Sequence, residues 1–319
     1  MKHNLYLIKK NELSEIEELE YEFFSNFNSE NTKTSYRIDL NTFFDFMREN
    51  FAGMTTVDVT RFAIVAYKKW MQDTCYAPKT IHRKLASLSS FFTFLMEKGI
   101  INQNPCYGVR RPRQEVIKET QDLTDEEVER LLITIENNAS LMHKAILYLL
   151  FTTGLRRGEV INTRLKNYIE ENGQMTVTVT GKGGKSLKKY LHDSCASAIN
   201  EYLEEMAEKG RAIHPEDWIF QPSHNPRSKN KDLCRPLCPK SIRYIIKKYC
   251  KMAGINKEIS PHSARATYIG SALENGAHLV KVSKDVGHSS TKTTEMYNKR
   301  RVRADDSPVK NLGYLKKAS

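Results

Sequence analysis

Apolar side chains recur along the first hundred residues with the spacing of helices. An acidic stretch from Glu12 to Glu22 opens the series. In SENTKTSYRIDLNTFFDFMREN, Tyr36, Leu40, Phe43, Phe44 and Met47 fall on one helical face. A third helix is predicted over Val59–Asp73. A fourth, PKTIHRKLASLSSFFTFLMEKG, aligns Ile81, Leu85, Leu88, Phe92 and Leu95, with Gly99 just past its end. From Asn104 to Glu119 the apolar period is lost and Pro, Arg and Lys dominate, the composition of a linker. Periodicity resumes at Thr124-Asp125-Glu126-Glu127, a capping box that opens a helix with Val128, Leu131 and Leu132 inward. Ser140 caps LMHKAILYLLFTT, apolar nearly all round and so central to a core, and Gly154 ends it.

The pattern then changes period. MTVTVT alternates every second residue and is β-branched, which predicts a strand. Gly181-Lys182-Gly183-Gly184-Lys185 separates it from SLKKYL, as the turn of a hairpin does. A polar, Pro-rich segment from Arg211 to Lys240 reads as a loop. It precedes the helix KSIRYIIKKYCKMAG, whose Lys240, Arg243, Lys247 and Lys248 make a basic face. His214, His224, Cys234 and Cys238 in that loop invite a zinc reading, but their spacing is loose and no second cysteine pair supports it, so no metal is expected.

Chemistry concentrates between Ser260 and Arg301. Ser260 reads as an N-cap and Pro261 as the first helical residue, which puts His262 in a first turn where orphan N–H groups attract anions. Arg265 follows on the same face, one turn later. Asn275-Gly276 stops this helix. A second, Ala277 to Val286, ends at Gly287, and His288 follows on a turn. Ser289 or Ser290 can cap a last short helix carrying Tyr297. Two imidazoles, a guanidinium and a phenol at helix ends are suited to a phosphate.

Charge agrees with that partner. Fifty Lys and Arg against 38 Asp and Glu leave the 319 residues at +12, with enough length for one large or two ordinary domains. Such a balance favours an anionic partner without naming it. The six scattered cysteines read as reduced thiols of a cytoplasmic protein. No apolar run reaches membrane-spanning length.

The motifs resemble those of the tyrosine recombinases, the phage integrase family. His-x-x-Arg, Gly-His-Ser-Ser and Thr-Thr-x-x-Tyr match its C-terminal signature. Upstream, Thr153-Gly154-Leu155-Arg156-Arg157-Gly158-Glu159 matches the turn bearing the family's first arginine, and Gly181–Lys185 the hairpin bearing its lysine. Lys185 competes for that role, and the family pattern favours Lys182. Glu159 reads as a residue that orients an arginine. The resemblance implies six catalytic positions, Arg156, Lys182, His262, Arg265, His288 and Tyr297. It implies a mainly α fold with a small antiparallel β-sheet: an N-terminal four-helix core-binding (SAM-like) domain over 12–110, a linker over 111–121, a catalytic domain over 122–303, and a tail over 304–319 that docks on a neighbouring protomer. No arm-binding domain of the lambda-integrase kind is expected ahead of Glu12.

In this reading Lys79, Thr80, Arg83, Lys84, Arg111 and Arg243 contact double-stranded DNA at specific recombination sites, as a homotetramer on paired sites. Tyr297 forms a 3′-phosphotyrosyl link while the arginines clamp the phosphate. Exchange of one phosphoester for another needs neither ATP nor a metal, so no cofactor is expected. Ala264 in the His-Ser-Ala-Arg box and the ending Met-Tyr-Asn-Lys-Arg-Arg lean towards a mobile-element recombinase over a Xer-like chromosome dimer resolvase. Two further classes fit less well. A type IB topoisomerase uses nearly the same catalytic set but relaxes supercoils without sites or partners. A non-catalytic DNA binder on this fold is expected to have lost some of the six positions, and this chain fills them all.

Overall fold

The computed structural model describes residues 13–113, 120–181, 184–211, 214–223 and 233–298 of the 319. The chain divides into two compact units, Met1–Lys118 and Glu119–Ser319.

The first unit is built on four helices: α1 (Leu13–Ser25), α2 (Glu30–Asn50), α3 (Arg61–Asp73) and α4 (Pro78–Glu97). Ser29 caps α2, accepting the Thr32 N–H at 3.4 Å. The apolar stripes meet in an aromatic core. Phe23 lies edge-on to Phe91, and Phe43 edge-on to Tyr67, with ring centroids 5.3 and 5.1 Å apart. Such edge-to-face pairs add to the area they bury. Into this core α2 inserts Asp39, fully buried, which draws α4 onto it through ion pairs with Arg83 and with Lys84 at 3.2 Å. Lys84 also donates to Thr42 Oγ1 at 2.9 Å. Only 3% of Lys84 reaches solvent, which corrects its reading as a DNA contact: its ammonium is spent on Asp39 inside the bundle. The described residues that follow α4, up to 113, are tied back to this unit at three points. The carbonyls of Gly108, Arg110 and Pro112 are taken by Arg61, Lys68 and His82.

In the second unit, α5 (Asp125–Asn138) opens with the expected capping box, Thr124 N–H to Glu127 Oε2 at 2.9 Å and Glu127 N–H to Thr124 Oγ1 at 3.3 Å. The core forms around α6 (Leu141–Thr153), buried continuously from Ala145 to Phe151. Gly154 closes α6 in the left-handed region at φ +62°, which other residues adopt at a cost. A side chain there would also begin 2.5 Å from the Tyr268 ring. The short helix α7 (Arg157–Ile161) follows, then an antiparallel sheet in the order β1 (Tyr168–Glu171), β2 (Gln174–Thr180), β3 (Ser186–Tyr190). Thr180 pairs with Ser186 across the hairpin, and Val177 with Lys189.

Helices α8 (Asp193–Glu208), α9 (Pro239–Met252), α10 (Pro261–Glu274), α11 (Leu279–Asp285) and α12 (Thr291–Asn298) complete the unit. Strand β1 and helix α8 lie outside the expected elements. Helix α11 starts two residues later than expected, since the His278 ring accepts the Val280 N–H and caps it. Among the described residues no helix is long and apolar enough to cross a membrane. The six cysteines are thiols, with no disulfide between them.

Candidate active site

Arg156 emerges from the turn after Gly154 and becomes the N-cap of α7. Glu159, buried three residues on, holds it twice. The carboxylate accepts the Arg156 backbone N–H at 2.7 Å and its Nη1 at 2.8 Å. This brace fixes both the backbone and the guanidinium of one residue, and makes Glu159 the orienting group expected of it. Arg156 keeps 37% of its side chain exposed, so part of the planar donor fork still faces outward. Its Nη2 reaches the Gly287 carbonyl at 3.4 Å. Arg157 next to it is exposed.

Arg265 comes from the opposite direction. The Ser260 hydroxyl caps α10 by accepting the Ser263 N–H at 3.2 Å, and Pro261 occupies the first turn. One turn later Arg265 points inward and is only 2% exposed. Its Nη1 donates to the Gly154 carbonyl at 2.8 Å and its Nη2 to the Val286 carbonyl at 2.5 Å. Burial, then the like charge of Arg156, lowers its pKa to about 10, which leaves it cationic at neutral pH. His262, on the same helix, is exposed at its open end.

Residues Val286 to His288 join these parts. Val286 offers its carbonyl to Arg265 and Gly287 to Arg156, and His288 donates its backbone N–H to Ser283 at 2.9 Å. The His288 ring lies 2.8 Å from Thr294 Oγ1 through Nδ1. Burial, followed by the charges of Arg265, Arg156 and His262, pushes the imidazole down to about 4, so it is neutral at pH 7. With Nδ1 engaged by the Thr294 hydroxyl, Nε2 is the ring nitrogen left to face a phosphate, and it donates there in the tautomer that carries its proton. On α12, Tyr297 stacks against this ring at a tilt of 11°, centroids 6.3 Å apart. The phenol ring is 6% exposed and packs with Ala266, Ile269, Val282 and Val286.

The structure therefore brings Arg156, Arg265, His288 and Tyr297 around one turn, with His262 near enough to oppose the charging of His288. Lys182 lies outside the described residues. Its neighbour Gly181 closes the hairpin by donating to the Lys185 carbonyl at 2.7 Å, and a side chain on Gly181 would begin 3.7 Å from Glu159 Oε1. Lys185 is exposed. Of the six residues read as DNA contacts, Lys79, Arg83, Arg111 and Arg243 are exposed, Thr80 is half-buried and Lys84 is buried. Arg243 sits on α9 among exposed Lys240, Tyr244, Lys247 and Lys248, while Ile242, Ile245 and Ile246 face the core.

Sequence reasoning missed Lys189. It is a fully buried cation paired with Asp285, and the signal for it is its register in β3, where Leu187 and Lys189 share a face. Among the described residues no three His, Cys, Asp or Glu side chains are grouped to hold a metal ion. Cys234 instead bonds Asp217 Oδ1 at 2.9 Å.

Residues 121–303 match the model of the phage integrase family, and residues 17–99 the phage integrase N-terminal SAM-like domain. The chain is 30% identical over 271 residues to tyrosine recombinase XerD of Oceanobacillus iheyensis, covering 84% of this chain and 87% of that one. It is 29% identical over 287 residues to tyrosine recombinase XerC of Listeria monocytogenes, covering 88% and 92%. Its fold is that of XerH site-specific recombinase bound to palindromic difH substrate (TM-score 0.67, 17% identity, covering 84% of this chain and 76% of that one). It is also that of a lambda integrase dimer bound to a COC′ core site (TM-score 0.64, 16% identity, 96% and 98%). The chain belongs to the phage integrase family of tyrosine recombinases.

Proposed function

We propose that this protein is a site-specific recombinase that cuts and rejoins duplex DNA through Tyr297. One observation carries the reading: Arg156 and Arg265, from different helices, converge on the Val286–His288 turn beside the Tyr297 ring. The phenol oxygen attacks the scissile phosphorus, a 3′-phosphotyrosyl bond forms, and the bond to the 5′ oxygen breaks. Charge that builds on the non-bridging oxygens is met by the two guanidiniums and by the Nε2–H of His288. His262, exposed at the start of α10, takes part in moving the Tyr297 proton. Lys182 gives a proton to the departing 5′ oxygen, an assignment that rests on the resemblance of Gly181–Lys185 to the family's hairpin. Attack of a 5′ hydroxyl from the partner site reverses the chemistry and seals the new strand. Phosphoester bonds are conserved throughout, so the reaction draws on no ATP, and the arginines supply the charge stabilisation that a metal gives other phosphoryl-transfer enzymes.

Lys79, Thr80, Arg83 and Arg111 of the first unit and Arg243 of the second supply the DNA contacts. The helical unit (12–110) and the catalytic unit (122–303) work as two domains joined by 111–121, four protomers acting on two paired sites. The tail (304–319), outside the described residues, docks on a neighbour. We assign the protein to a mobile element. Its nearly equal identity to a XerD and a XerC supports a recombinase that is the counterpart of neither. The test is strand exchange between two copies of DNA sites from its own genetic neighbourhood, in EDTA and without nucleotide. Exchange by the full chain, with a truncate after Arg303 that cleaves single sites but synapses poorly, is expected. Exchange that requires added metal or ATP, or wild-type recombination by the truncate, contradicts the corresponding part of the proposal.

A further inference from the structure

Strand β3 puts a lysine where its register asks for an apolar side chain. Lys189 is 2% exposed, and a buried ammonium is costly unless it is paired. Its partner is Asp285, the last residue of α11, whose Oδ2 also accepts the Tyr268 hydroxyl at 2.7 Å. The Tyr268 ring completes the nest, with Lys189 Nζ 5.1 Å from its centroid and Gly154 against its edge. One carboxylate thus ties β3, α10 and α11 together. The three residues that follow it are Val286, whose carbonyl holds Arg265, Gly287, whose carbonyl holds Arg156, and His288. Leu187, on the same strand face as Lys189, lies 3.4 Å from where a side chain on Gly287 would begin.

We infer that Lys189 is a positioning residue for the phosphate clamp: by pairing with Asp285 it fixes the turn whose carbonyls aim both guanidiniums. The inference rests on the recombinase reading above. A directional ion pair sets the register of β3 against α11 in a way that two interchangeable apolar side chains do not. A misplacement of about 1 Å in groups that position a reacting phosphate can slow a reaction by up to about a hundredfold.

The test uses the full-length protein on a suicide duplex of its cognate site, with the scissile phosphate either ordinary or replaced by a neutral methylphosphonate. Lys189→Met is expected to bind DNA as the wild type does and to form adduct up to about a hundredfold more slowly on the ordinary phosphate. On the methylphosphonate the charge that the arginines neutralise is gone, so the gap between variant and wild type closes. Equal slowing on both substrates would assign the defect to general misfolding and overturn the inference, as would a wild-type rate on the ordinary phosphate. A second variant, Lys189→Met with Asp285→Leu, keeps the site folded without a lone charge and is expected to stay slow. Recovery of the wild-type rate would mean that packing alone holds the turn, and would overturn the inference too. Tyr297→Phe serves as the control, since an adduct that persists in it overturns the recombinase reading itself and not this assignment alone.

Discussion

His288 is neutral in a site crowded with positive charge, and its stability signature follows from that. An unfolded histidine titrates near 6.5, whereas this one titrates near 4. Between those values the unfolded chain holds a proton that the folded chain does not. Folding stability therefore rises with pH across this window and is lost as pH falls from about 6.5 to about 4. His288→Asn should flatten the profile in that window relative to wild type, as read by denaturant unfolding at a series of pH values. Matching slopes would mean that the ring is not held neutral. Arg265 makes a second residue-level prediction. A lysine there has one point charge where the fork spans two carbonyls, so Arg265→Lys should cost about 10²–10³ in the rate of strand cleavage, as loss of a preorganised donor does. A near-wild-type rate for Arg265→Lys would contradict the clamp.

The chemistry of these residues was legible in the sequence because each sits beside a helix stop or start, at Gly154, Ser260 and Gly287. Lys84 and Lys189 were not, for a common reason. Both are long basic side chains, and charge alone reads them as surface. What turns them inward is an acidic partner distant in sequence, Asp39 for one and Asp285 for the other.

At the level of elements, α4 separates two kinds of basic residue within its first turns. Lys79 is exposed, Arg83 is exposed but reaches back to Asp39, and Lys84 is buried and locked to α2 through the same carboxylate. Counterion release then distinguishes them in DNA-binding titrations against salt. Lys79→Ala should weaken binding across sequences and lower the salt slope by about 1. Lys84→Met should leave the slope unchanged and instead destabilise the bundle, since Asp39 keeps its burial and loses a buried partner. A fall in slope for Lys84→Met would return this lysine to the DNA interface. Helices α2 to α5 and α9 were predictable from their apolar periodicity, α6 from its nearly continuous apolar run, and α10 from its cap. Strand β1 and helix α8 were not. The four residues of β1 alternate too briefly to register.

For the whole molecule, two compact units and a net charge of +12 suit a long polyanion, and sequence and fold agree on the family. The packing within each unit follows from local pattern. The convergence of Arg156 and Arg265 on one turn does not, because it depends on α6, α10 and α11 meeting in three dimensions. We propose that this convergence serves attack by Tyr297 on DNA. The most direct measurement incubates the protein with nicked or suicide duplexes from its genetic neighbourhood and looks for a denaturant-resistant protein–DNA adduct. An adduct is expected with the wild-type chain and none with Tyr297→Phe. An adduct of undiminished yield in Tyr297→Phe, or none from the wild type on a verified cognate site, would contradict it.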